Sequence, residues 1–126
     1  MTTLTTEEIK AERTRAQNAI DGLQRQKTAD LEERRISIAQ FNEISAAQGR
    51  IQNKLNELNV LLVEREIEII LVNDDSPAAL IGLAITRLEA AVERLDDSRQ
   101  FFESVASVIN ALNVIIGVLA AFPPVV

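Results

Sequence analysis

Residues 41–72 read FNEISAAQGRIQNKLNELNVLLVEREIEIILV, and the reading of this stretch decides the rest. Phe41, Ile44, Gln48, Ile51, Leu55, Leu58, Leu62, Arg65, Ile69 and Val72 recur at alternating intervals of three and four. That rhythm holds one face of a helix against a partner over several heptads. Glu64–Val72 also alternates and is β-branched, as an edge strand would be. A lone strand cannot satisfy its backbone donors and acceptors, and no second run of similar quality is visible. The helical reading is therefore carried through to Val72.

Upstream, Thr5 and Glu8 have the spacing of a capping box, and Leu4 and Ile9 that of a hydrophobic staple. No proline follows until Pro77, and only Gly22 and Gly49 interrupt good helix formers. Helix one is expected over residues 6–72. Its first third is the more polar, and Ile20, Leu23, Leu31 and Ile38 share a face only if a four-residue stutter is placed near Lys27.

Downstream, Asn73, Asp74, Asp75 and Ser76 form a turn, with Ser76 as cap and Pro77 as first residue of helix two. Ala84, Leu88, Ala91, Leu95, Ser98, Phe102, Val105, Ile109, Leu112, Ile116 and Leu119 then keep the same spacing. Helix two is expected over 77–121, ending before Pro123 and Pro124. Asp96, Asp97 and Ser98 offer an alternative start for a third helix, which the unbroken register disfavours.

The fold expected is all-α: residues 1–126 as a single elongated domain, an extended coiled-coil αα-hairpin that associates into a helical bundle. Its seam is Phe41, Ile44, Ile51, Leu55, Leu58, Leu62, Ile69, Leu88, Leu95 and Phe102. At 1.5 Å per residue the helices would measure about 100 Å and about 67 Å. Helix two would then reach back only to Lys27 or Thr28. Residues 6–27 would be left to dock on a neighbouring subunit or on another protein, because a helix alone in water is marginal.

Composition narrows the function. There is no Cys and no His, so thiolate and imidazole chemistry is absent. Asp74 and Asp75 read as turn residues before they read as cation ligands, and Glu64, Glu66 and Glu68 fall on several helix faces. The mixed run Glu32, Glu33, Arg34, Arg35 reads as a solvated helix face. No phosphate loop or nucleophile–base pair is visible, so no enzyme, cofactor, metal or small-molecule substrate is expected. The net charge is −6, with no basic stripe or stacking platform, which argues against nucleic acid. No basic n-region precedes an apolar stretch, so no signal peptide is expected. That points to the cytoplasm or a macromolecular assembly, with membrane association left open.

The C-terminal segment 104–122 carries no charged side chain. On a helical wheel Ser107, Asn110, Asn113, Gly117, Ala106 and Ala121 share one side. Val105, Val108, Ile109, Leu112, Ile115, Ile116, Leu119 and Phe122 share the other. Such a surface does not stay exposed on a monomer. Val105, Ile109, Leu112, Ile116, Leu119 and Phe122 are therefore the expected oligomer or membrane contacts. Two functions follow. The first is a non-catalytic assembly protein, such as a scaffold, virion part or secretion or injection-apparatus component. The second is a membrane-active protein, tail-anchored or pore-forming through 104–122.

Overall fold

Three helices in this chain begin with the same side-chain chemistry. At the first, Glu8 N–H donates to Thr5 Oγ1 at 3.1 Å and Thr5 N–H donates back to Glu8 Oε1 at 3.2 Å, the expected capping box. At the second, Gln40 N–H donates to Ser37 Oγ at 3.1 Å and Ser37 N–H to Gln40 Oε1 at 2.8 Å. At the third, Gln100 N–H donates to Asp97 Oδ1 at 3.4 Å. Each pairing satisfies donors that a helix start leaves open. The second and third starts cut both expected long helices in two.

In the computed structural model the backbone is described for residues 2–64, 69–72 and 77–121, and side chains for 5–64 and 80–121. The elements are β1 (Thr2–Thr5), α1 (Thr6–Glu32), α2 (Ile38–Glu64), β2 (Ile69–Val72), α3 (Pro77–Val92) and α4 (Ser98–Ala120). Each of the two longest helices has 27 residues, or about 40 Å of rise. The elongated two-helix hairpin thus gives way to a shorter four-helix arrangement.

The break after α1 is a Schellman turn. Arg35 N–H donates to Asp30 O at 2.8 Å and Arg34 N–H to Leu31 O at 3.1 Å. Arg34 sits in the left-handed region at φ 60°, where glycine is the usual occupant. Ile36, buried beside the turn, then leads into the Ser37 cap. Of the charge run, Glu32 is therefore the last residue of α1 and residues 33–35 form the turn, all four side chains exposed. The second break, Glu93–Asp97, is a pair of tight turns pinned by the fully buried Leu95. Here the alternative start at Asp97 is the one observed.

Side-chain pairs give the topology. Gln17 and Gln52 exchange amide hydrogen bonds at 2.9 and 3.0 Å, Gln48 donates to Gln24, and Lys27 donates to Ser45. One number rises as the other falls, so α1 and α2 are antiparallel. Arg15 reaches Thr86 and Glu89 while Gly82 lies beside Glu12, so α1 and α3 run parallel. Helices α3 and α4 pack against each other and are joined only by residues 93–97, a connection short enough to make them antiparallel. The main contacts are α1 with α2 and α3, and α4 with α2 and α3, which places α1 diagonal to α4. The core is one continuous cluster drawn from all four helices.

The stretch Glu64–Val72 needs correction too. Helix α2 ends at Glu64, and Ile69–Val72 is a strand paired antiparallel with Thr2–Thr5, Thr2 opposite Val72 and Thr5 opposite Ile69. The partner strand, TTLT, is only four residues long and lies far from Ile69–Val72 in the sequence, so its pattern alone does not announce a strand. This ribbon is small beside the helices, and the chain remains essentially all-α. Pro77 is the first residue of α3, while the expected turn 73–76 lies outside the described residues.

Candidate functional site: exposed apolar surfaces on α2, α3 and α4

The expected contact residues are placed mostly inside the molecule. Val105, Leu112, Ile116 and Leu119 are buried against the chain's own helices, and Ile109 is half-buried. Phe122 lies outside the described residues. On the hairpin seam Ile44, Ile51, Leu55, Leu58, Leu88 and Leu95 are fully buried, while Phe41, Leu62 and Phe102 are partly so. The side chain of Ile69 is not among those described. These residues hold the monomer together, each buried large side chain contributing about 2 kcal/mol.

Residues 6–27 are not an overhang. Ile9, Ala16, Ile20 and Leu23 are buried under α2 and α3, so the length mismatch that called for an outside partner disappears once both long helices break. The outward side of this segment is polar, with Glu7, Glu8, Lys10, Asp21 and Arg25 exposed.

Among the described residues, the exposed large apolar side chains are a different set: Ile38, Val60, Val63, Leu80, Leu83 and Val114. All but Ile38 lie toward the end of the bundle where α2 finishes and α3 starts. Val63 is the most exposed, at 83%. Leu80, Leu83 and Arg87 form one wall of a shallow groove, and Ser107, Asn110 and Val114 form the other. Their spacing of three and four along each helix is what points both rows into the same groove. Arg87 has no ion pair among the described residues. These positions fall off the seam spacing, and periodicity marks only the seam. A large apolar residue in an off-seam position was the available signal.

Two polar sites complete the inventory. Arg15 donates to Glu89 at 2.8 Å and to Glu12 at 3.1 Å, tying α1 to α3. Its pKa is raised chiefly by the Glu89 hydrogen bond, against some desolvation. Lys27 is buried, its Nζ 4.9 Å from the Phe41 ring centroid and 2.9 Å from Ser45 Oγ. Burial lowers its pKa below the ordinary lysine value. Ser45 Oγ passes the polarity on by donating to Phe41 O at 2.8 Å. Among the described residues no group of three or more Asp, Glu, His or Cys side chains is placed to hold a metal ion. Helix α4 is long and apolar enough to cross a membrane, with 39% of its most apolar window buried inside the bundle. Comparison with protein-family models, with curated proteins and with solved structures found no match.

Proposed function

We propose that this protein is a non-catalytic assembly component, a helical bundle that joins further copies of itself within a larger structure. The observation that carries this reading is a set of large apolar side chains left in water toward one end of the bundle, Val60 and Val63 on α2 and Leu80, Leu83 and Val114 lining the α3–α4 groove. Scattered exposed apolar residues are ordinary, but a grouped set lining a groove marks a contact surface. The outer side of α4 adds to it, since Ala106, Asn110, Asn113, Gly117 and Ala121 are exposed, uncharged and small. Light scattering across a concentration series tests the reading. A mass several times the 13.9 kDa of one chain is expected; a monomer at every concentration refutes it.

A second reading, a membrane-active protein working through residues 104–122, is favoured by the length and apolarity of α4. It requires α4 to leave the bundle and carry Val105, Val108, Leu112, Ile115 and Leu119 into lipid. Vesicle flotation at neutral pH tests it, and protein that stays with the aqueous fraction refutes it.

A further inference from the structure

The exposed apolar residues fall on two separate surfaces, and the two are complementary. The first is a ridge on α2, where Glu57, Val60 and Val63 follow one another at intervals of three, all exposed. The second is the α3–α4 groove, with Leu80, Leu83 and Arg87 on one wall and Val114 on the other. Both span about two helical turns. The ridge ends in a carboxylate held only by Lys54 at 3.5 Å. The groove ends in a guanidinium with no ion pair among the described residues.

We propose that the α2 ridge of one copy seats in the α3–α4 groove of the next. Laid antiparallel to α3, the ridge brings Glu57 level with Arg87, Val60 level with Leu83, and Val63 level with Leu80, in the groove that Val114 also lines. The opposite direction would set Val63 against Arg87 and leave Glu57 against Leu80. Charge and apolarity therefore select one orientation, and a ridge entering a groove between two helices is ordinary helix packing. This single contact covers five of the six large apolar side chains exposed among the described residues. Because one surface meets a different surface, every copy keeps a free ridge and a free groove. Association continues until a ring closes, or runs on as a filament. The inference rests on the self-association proposed above and specifies its geometry.

Val63→Asp spoils only the ridge, and Leu83→Asp spoils only the groove. Both positions are exposed, so the fold should survive, as circular dichroism will register. Each variant alone should scatter light as a monomer at concentrations where the wild-type chain is oligomeric. Mixed in equal amounts, they should form a species of twice the chain mass, because each still offers the surface the other lacks. Glu57→Arg or Arg87→Glu should each weaken association about tenfold, and the two combined in one chain should restore the wild-type mass. A wild-type chain that is monomeric throughout overturns both the assembly reading and this geometry. Variants that remain oligomeric, monomers that do not pair on mixing, or a charge reversal that restores nothing overturn the geometry and leave self-association standing.

Discussion

Replacing Arg34 by glycine tests the architecture through the sign of one stability change. Arg34 lies at φ 60°, and its N–H and that of Arg35 close the Schellman turn that ends α1. A side chain with a Cβ costs about 1–2 kcal/mol in this region. Glycine removes that strain and returns roughly 0.5 kcal/mol as extra freedom of the unfolded chain. Arg34 is exposed and has no ion pair among the described residues, so truncation forfeits little else. The Arg34→Gly variant should be more stable by about 0.5–1 kcal/mol. With an m-value of about 2 kcal/mol/M in urea, the midpoint rises by about 0.3–0.5 M. In a helix running unbroken through residues 32–38, the same glycine would cost about 1 kcal/mol. A lowered midpoint refutes the turn, and with it the separation of α1 from α2. Arg34→Val is the control and should destabilise, since a β-branched residue tolerates this backbone least.

The remaining expectations concern the buried lysine, the second break and the first helix. Lys27→Met should be neutral or stabilising by roughly 1 kcal/mol, because a desolvated ammonium is removed while a thioether can still contact Phe41. The burial penalty on Lys27 is fully present below its lowered folded-state pKa and is relieved between that value and the ordinary one for lysine. The advantage of Lys27→Met, followed by denaturation at increasing alkaline pH, should therefore shrink; an advantage that grows refutes the buried-ammonium account. Ser98→Pro should shift the melting temperature by no more than a degree or two, since Ser98 is the first residue of α4 and Asp97 is already outside helical geometry. A loss of about 3 kcal/mol would mean a continuous helix. Deleting residues 1–27 should abolish cooperative unfolding followed by circular dichroism, as it strips Ile9, Ala16, Ile20 and Leu23 from the core. A truncated chain that still melts cooperatively refutes the place of α1 in the bundle.

The seam was legible because burial requires spacing, and the chain breaks were not because spacing survives them. Across the second break, Ala91, Leu95, Ser98 and Phe102 keep a heptad rhythm that suggests one helix. The structure keeps Val105, Leu112 and Leu119 buried but buries Phe101 in place of Phe102 and Val108 more fully than Ile109, so the order of the three- and four-residue intervals is reversed in α4. Apolar neighbours at both positions satisfy either register, and periodicity alone cannot choose between them. The first break left a trace: the stutter needed near Lys27 marked a change of phase, which a turn at residues 33–37 also supplies. What decides such cases is local chemistry. Ser37 and Gln40 have the same capping-box spacing as Thr5 and Glu8, and they sit at the point where the charge run ends. No glycine or proline marked that turn, because the left-handed position is held by an arginine at some cost in strain. The β-ribbon escaped for the opposite reason, as its two strands are nearly seventy residues apart and neither can be recognised without the other. Once both hairpins are folded, Val105, Leu112, Ile116 and Leu119, expected to meet another subunit, lie in the chain's own core. The surface available to a second copy is then set by side chains that the seam had no use for: Val60, Val63, Leu80, Leu83 and Val114.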